Sequence, residues 1–265
     1  MKPLIDGDCV AYEIAYACEP KDEEGNRIPI PLDAVEERVK NKIAEICADV
    51  YATEEPTIYL TGKGNFRDDI ATIKGYKENR VGKPKPHYLK YIRALLKAHY
   101  ETKCVNGFEA DDLMAMDQCS RAKFRDTIIC SIDKDLRIVP GFHYSWGTSV
   151  LPSFGPICTD EIGKFYKKKS GKIIGTGLKQ FYSQLLMGDR TDNIPGIPFY
   201  GPIKAFNLLD PLNTEEEMFN AVKEVYQEKF PDDWEPRMLE VGRLLWMTQM
   251  LDENGGPVLW EFPDV

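Results

Sequence analysis

The chain has 265 residues with 43% apolar and 29% charged side chains, ordinary proportions for a globular protein burying one large core and a smaller satellite. No apolar run approaches the ~20 residues of a membrane-spanning helix. No basic segment leads into an apolar core and cleavage site, so no secretory signal and a cytoplasmic setting are expected. Seven cysteines without a Cys-x-x-Cys pair argue against a zinc site or a disulfide framework. The net charge of −9 is unevenly spread: residues 1–60 carry −8, residues 61–210 carry +8 and residues 211–265 carry −9. A basic middle between acidic ends is compatible with phosphate binding on one face, although lysine runs such as Lys164, Lys167, Lys168, Lys169 and Lys172 more often mark a solvated loop.

In chain order, KPLID reads as a first strand ending in acid, followed by a turn at Gly7 and a helix over VAYEIAYA. Residues 33–50 place Val35, Val39, Ile43, Ile46 and Val50 at helical spacing. PTIYL is the next strand, followed by a glycine-rich turn and the basic stretch FRDDIATIKGYKENR. A helix over residues 87–100 follows the breaker-rich KPKP, then a short strand over KCVNGF. EADDLMAMDQCSRA is a helix with acids in its first turn. TIICSID is a β-branched strand, and FHYSW a further one. Strands alternating with helices predict a mostly parallel α/β sheet flanked by helices. From residue 178 the pattern turns to helices joined by Gly/Pro turns, so we expect domains over 1–177 and 178–265.

Nine carboxylates fall in four clusters: Asp6 and Asp8; Glu109, Asp111 and Asp112; Asp133 and Asp135; Asp189 and Asp192. Each cluster stands where an apolar run ends, and in parallel sheets ligands bind outside the carboxyl ends of the strands. Taken singly, helix capping and ordinary turns explain them. Three acids at one helix start exceed what capping needs, and four paired turns would be a coincidence. Acids brought together repel unless cations lie between them, and all-oxygen donors suit hard cations such as Mg²⁺. Two ligand groups would serve two metals about 4 Å apart in phosphodiester chemistry.

Lys77 and Arg80 stand just before a helix, where they could reach a phosphate as a point charge and a bidentate fork; exposed loop bases are the plainer reading. Tyr76 could stack on a terminal base or simply be half-buried. In NIPGIPFYGPIKAF, Gly196 and Gly201 flank a turn into a helix bearing Lys204, and backbone amides at such a start can hold a phosphate.

The ordered set IDGD, FRDDIATIKGYKENR, GFEADD, SIDKDL and MGDRTDNIPGI resembles the 5′-nuclease (flap endonuclease-like) superfamily, and within it the 5′→3′ exonucleases of short-tailed bacteriophages. The resemblance covers almost the whole chain. It implies a PIN-like catalytic domain followed by a helix–three-turn–helix subdomain that grips duplex DNA. It implies two Mg²⁺ ions, with Mn²⁺ able to substitute. Asp6, Glu109, Asp111 and Asp112 would serve one site, and Asp133, Asp135, Asp189 and Asp192 the other. Lys77 and Arg80 match the bases that approach the scissile phosphate, while Tyr76, Gly196, Gly201 and Lys204 would face DNA. The implied activity is 5′→3′ hydrolysis at the ends of duplex DNA, extending to 5′ flaps or RNA primers, by a monomer that meets replication proteins in a host cell.

Two departures stand out. The family commonly has an aspartate just after the second strand, where this chain has Thr61 or Gly62; Asp8 or a bound water is expected to stand in. The duplex-binding turn has Phe199 where a glycine is usual, which calls into question a potassium site there. The short segment between Arg80 and Gly107 leaves little room for an enclosed arch, favouring trimming of ends over threading of long flaps. The rival readings are a PIN-type ribonuclease and a DNA-structure-binding protein of the same fold without catalysis.

Overall fold

The computed structural model describes residues 1–120, 126–148, 152–168 and 171–264. It divides into two units that interleave along the chain: residues 1–63, 82–134 and 141–157 form one, and residues 64–81, 135–140 and 158–265 the other. The sequence pattern suggested a single division at 177/178. Interleaving arises because 64–81 and 135–140 fold with the later helices.

The first unit holds the sheet. Its strands are β1 (Lys2–Asp6), β2 (Thr57–Tyr59), β3 (Glu101–Lys103), β4 (Thr127–Cys130), β5 (Gly141–Ser145) and β6 (Phe154–Thr159), in the order β3-β2-β1-β4-β5-β6. Pairs β1–β2, β1–β4, β2–β3 and β4–β5 are parallel, giving the mostly parallel α/β architecture expected. Both β1 and β4 are buried along nearly their whole length, as central strands covered on two faces require.

Helices α1 (Gly7–Ala17), α2 (Leu32–Asp49) and α4 (Leu89–His99) pack on one another. With Ile5, Ile58, Ile128 and Cys130 of the sheet they build one apolar core, which includes Val35, Val39, Ile43 and Ile46 from the α2 stripe. α4 contributes Ile92, Leu95 and Leu96 to that core, so the helix in the arch region is a structural element of the sheet domain. α5 (Ala110–Ser120) lies against β1, β2 and β4. The last two residues of the helix expected over EADDLMAMDQCSRA, 121 and 122, lie outside the described residues.

Two local expectations are corrected. The helix begins at Gly7 itself, because the Asp6 side chain caps it by accepting from the Cys9 N–H. The strand expected over residues 103–108 is instead β3 over Glu101–Lys103. The following segment bends away at Gly107, whose φ is 88°, and bonds across to Lys63, the Gly107 N–H donating to the Lys63 carbonyl at 2.9 Å.

The second unit is mostly helical: α3 (Arg67–Ile70), α6 (Gly177–Met187), α7 (Pro202–Leu209), α8 (Glu215–Lys229) and α9 (Trp234–Leu245). α6 is buried from Gly177 to Leu186 and packs on α7, α8 and α9. The Tyr226 hydroxyl of α8 donates to the Leu185 carbonyl at 2.7 Å. Thr214 and Glu217 form a reciprocal cap at the start of α8. A two-stranded antiparallel hairpin, β7 (Phe165–Lys167) and β8 (Ile173–Gly175), carries part of the lysine run; Lys169 lies outside the described residues. Among the described residues no helix is long and apolar enough to cross a membrane.

The end of the chain packs rather than reacts. Trp260 is buried and its ring meets Phe181 edge-on at 5.2 Å. Gly242 of α9 lies beneath it: a Cβ there would meet Trp260 Cε3 at 2.1 Å. Alanine would gain about 1 kcal/mol of helix propensity, but overpacking a filled core costs about 1–3 kcal/mol and the displaced group is a buried indole. Gly242→Ala is therefore expected to lower the thermal midpoint and shift the tryptophan emission to the red. An unchanged midpoint would show that the indole yields freely.

Candidate active site

In the first unit the acids gather at the carboxyl end of the central strands. Parallel pairing of Ile5 with Cys130 brings the exits of β1 and β4 side by side, which places Asp6 near Ser131 and Asp133. Asp6 Oδ1 accepts from Cys9 N at 2.9 Å and Oδ2 accepts from Ser131 Oγ at 2.7 Å. Ser131 Oγ in turn accepts from Asp133 N at 2.9 Å. α5 starts beside these exits and brings Glu109, Asp111 and Asp112. The Glu109 N–H donates to Asp112 Oδ2 at 3.3 Å, so Asp112, wholly buried, closes the first turn of its own helix.

Electrostatics identify which acids share one space. Burial raises the Asp6 carboxyl above its ordinary range, opposed by the Cys9 and Ser131 hydrogen bonds and reinforced by the charge of Asp133. The Cys9 thiol is pushed well up, first by burial and then by the charges of Asp6, Asp133 and Asp111. Three carboxylates from β1, α5 and the β4 exit therefore act on one half-buried thiol. A cation would relieve that repulsion.

Among the described residues, no three His, Cys, Asp or Glu side chains form a group able by itself to hold a metal ion. That does not conflict with the donor chemistry. Mg²⁺ keeps several waters and takes only one or two carboxylates plus substrate oxygens, so these buried, all-oxygen donors fit a hydrated hard cation.

Asp8 is engaged on both oxygens: Oδ2 accepts from Thr61 N at 2.8 Å, and Oδ1 is ion-paired with Arg93. Nothing in the local sequence pairs Asp8 with Arg93. Likewise the only local sign of the Ser131 bonds is its place two residues before Asp133.

The other predicted residues belong to the second unit. Asp192 is its hub: it is ion-paired with Arg80 and with Lys77 Nζ at 3.5 Å, and accepts from the Tyr76 hydroxyl at 3.1 Å. Lys77 adopts left-handed backbone with φ 52°, and its N–H donates to the Asp192 carbonyl at 2.9 Å. Arg80 Nε donates to the Thr191 carbonyl at 3.1 Å, and Asn79 to that of Arg190 at 2.8 Å. The two bases are thus held against one acid by a turn rather than waving in solvent, and Asn79 is a member the sequence reading missed. Asp189, buried, accepts from Thr191 N at 2.6 Å, the side-chain-to-backbone turn that aspartate favours. Asp135 accepts from Gln184 Nε2 at 2.5 Å on a short 3-10 turn packed against α6. Asp133 and Asp135, two residues apart, therefore fall in different units.

At the expected duplex-binding turn, Gly196 has a packing reason of its own: a Cβ would meet the Met187 carbonyl carbon at 2.1 Å. Gly201 precedes Pro202 at the first position of α7, a favoured start. Lys204 Nζ donates to the Phe199 carbonyl at 3.1 Å. Phe199 is 95% exposed with φ 60°, so its ring packs on little. Left-handed backbone costs a non-glycine residue about 1–2 kcal/mol, against about 0.5–1 kcal/mol of added chain entropy for glycine. Phe199→Gly is expected to leave the urea midpoint unchanged or slightly raised; a clear fall would reveal packing by the ring.

No family model matches the chain. It is 27% identical over 238 residues to a 5′-3′ exonuclease of Buchnera aphidicola, covering 84% of this chain and 74% of that one. With a 5′-3′ exonuclease of Mycoplasma genitalium it shares 29% over 235 residues, 82% of this chain and 74% of the other. Against DNA polymerase I of Bacillus caldotenax the identity is 26% over 86% of this chain, which spans about a quarter (25%) of that protein. The T5 D15 protein crystallised with metal ions superposes with a TM-score of 0.58 at 13% identity, covering 92% of this chain and 88% of the other. In sequence and in fold the chain is similar to 5′-nucleases. The catalytic core of Rad2 in complex with DNA shares the fold at a TM-score of 0.53 and 15% identity, covering 99% of this chain and 84% of that core.

Proposed function

We propose that this chain is a member of the 5′-nuclease superfamily and a divalent-metal-dependent 5′→3′ exonuclease that hydrolyses phosphodiesters at the 5′ ends of duplex DNA. The observation that carries this reading is the meeting of acids at the carboxyl ends of β1 and β4: Ile5 pairs with Cys130, Ser131 Oγ donates to Asp6 and accepts from Asp133 N, and the acidic helix α5 packs against both strands. In a parallel sheet the carboxyl ends are the ligand-binding edge. The 5′-3′ exonucleases of Buchnera aphidicola and Mycoplasma genitalium support the direction of attack, and the metal ions and DNA of the structurally similar T5 D15 protein and Rad2 core agree with the cofactor and partner.

Asp6, Glu109, Asp111, Asp112 and Asp133 would hold Mg²⁺ in the first unit, one or two of them directly and the others through its waters. When bound, a divalent cation supplies a water of lowered pKa and positive charge for the phosphate oxygens. In the second unit Lys77 and Arg80 offer a point charge and a fork to a phosphate, in exchange for Asp192, and Tyr76 offers a ring to a terminal base. Gly201 and Lys204 would contact the DNA backbone without reading sequence. The further assignment of Asp135, Asp189 and Asp192 to a second cation rests on the order of the motifs.

Cleavage of 5′- and 3′-labelled duplexes, blunt and flapped, with Mg²⁺ and with EDTA, tests the reading. Shortening from the 5′ end that stops with EDTA is expected, and the flap-to-blunt ratio separates end-trimming from flap cutting. Metal-independent binding without cleavage would overturn the catalytic reading, and preference for single-stranded RNA would overturn the substrate.

A further inference from the structure

Thr61 and Gly62 follow β2 where the superfamily commonly carries an acid, and the N–H, carbonyl and hydroxyl of Thr61 are all engaged. Its N–H donates to Asp8 Oδ2 at 2.8 Å. Its carbonyl accepts from the Arg93 guanidinium at 2.7 Å and from Cys104 Sγ at 3.7 Å. Its hydroxyl oxygen accepts from Ala110 N at 3.1 Å. One nitrogen of Arg93 holds Asp8 while the other holds Thr61, a use of the planar fork that lysine cannot reproduce. The neighbouring Gly62 N–H donates to the Phe108 carbonyl at 3.2 Å. The exit of β2 is therefore tied at one end to α1 and α4 and at the other to the segment entering α5.

Ala110 opens α5, and its N–H is among the first-turn donors that a helix leaves without a partner of its own. Ordinarily the residue before the helix supplies such a cap; here a hydroxyl 49 residues earlier does so. Ala110 is flanked by Glu109 and Asp111, with Asp112 next. Any movement of this helix start moves three carboxylates together.

We propose that Thr61, clamped by Asp8 and Arg93, is a positioning residue: it sets the start of α5 and thereby the Glu109, Asp111 and Asp112 carboxylates for a divalent cation. Asp8 serves the clamp and not the metal. The family acid is replaced by a bond that places acids instead of adding one. This inference rests on the reading of those carboxylates as cation-binding.

The test is Mn²⁺ binding to the full chain, followed by the electron paramagnetic resonance signal of the free ion. Asp111→Asn tests the underlying reading and is expected to weaken binding. Thr61→Val removes the hydroxyl at nearly constant volume and is expected to weaken Mn²⁺ binding about 10- to 100-fold, the usual cost of losing a group that orients ligands. Thr61→Ser restores it. Arg93→Lys keeps the charge but loses the fork, and is expected to weaken binding in the same direction. If Asp111→Asn weakens binding while Thr61→Val and Arg93→Lys bind as the unaltered chain does, the positioning role is overturned and the metal reading stands. Tighter binding by Arg93→Lys would mean that Asp8 had been released to act as a ligand, which also overturns it. A Thr61→Val loss that serine fails to restore would exclude the hydroxyl. If none of the substitutions weakens binding, the metal reading fails and the inference with it. Should Thr61→Val not fold, the serine and Arg93→Lys variants decide.

Discussion

Asp133→Asn is expected to reduce Mg²⁺-dependent cleavage by at least about 10²- to 10³-fold, the scale of losing one group that organises transition-state charge, while duplex binding persists. The asparagine is nearly isosteric. The contact of this residue's backbone N–H with Ser131 Oγ, and through it the bond to Asp6, survives the change. What disappears is one negative charge from the set that acts on Cys9. The physical consequence is a weaker hold on a hard cation, with the fold left in place. Labelled-duplex cleavage with a matched thermal melt measures both. Asp232→Asn, an exposed acid after α8, is the control expected to cleave normally. Near-normal turnover by Asp133→Asn would remove Asp133 from the catalytic set.

The second large effect is on stability. Arg67 is 1% exposed, and its guanidinium donates from Nε to the Leu244 carbonyl at 3.0 Å and from NH2 to the Trp246 carbonyl at 2.7 Å. It also lies over the Phe66 ring at 4.5 Å. The two acceptors belong to the end of α9, where carbonyls have no intrahelical partners. Cutting two hydrogen bonds to a charged donor, each about 1.5–3 kcal/mol, and leaving buried carbonyls unsatisfied predicts a loss of about 3–5 kcal/mol for Arg67→Ala. Against a total stability of about 5–15 kcal/mol this is severe. The thermal midpoint should fall by about 10 °C or more, and hydrogen exchange at the amides of α9 should quicken. Arg67→Lys should recover only part of the loss, since lysine lacks the fork. A midpoint within a few degrees of the unaltered chain would show that water satisfies those carbonyls.

Arg67 also marks where a sequence reading stops. FRDD was recognised as part of a basic stretch, and a basic stretch in a chain thought to bind phosphate invites a ligand role. Its partners lie more than 170 positions later, so no local pattern could expose them. The same holds for Thr72 and Ile73, whose N–H groups meet the Glu240 carboxylate at 2.9 and 2.8 Å. Residues 64–81 thus fold with α9 rather than with the strand they follow. The hairpin β7–β8 was missed because its lysines and glycine read as a solvated loop. The strand expected over 103–108 is cut short because the chain takes left-handed backbone at Gly107, and β3 ends at Lys103.

Much else was legible because it is local. The period-3.6 stripe of residues 33–50 is α2, and the β-branched run before Ser131 is β4. Acids at the ends of apolar runs stood out because a charged group cannot continue a buried strand without a partner. The alternation of strands and helices, the parallel sheet this requires, and the all-oxygen character of the candidate site follow from the linear chain, since periodicity and donor chemistry belong to neighbouring residues. Folding is what joins Asp8 to Arg93, brings the Thr61 hydroxyl to a helix start 49 residues away, and gathers Tyr76, Lys77 and Arg80 around Asp192. These are bonds between segments far apart in the chain. They depend on which strand exits and helix starts the fold brings side by side, and a linear pattern carries no record of that.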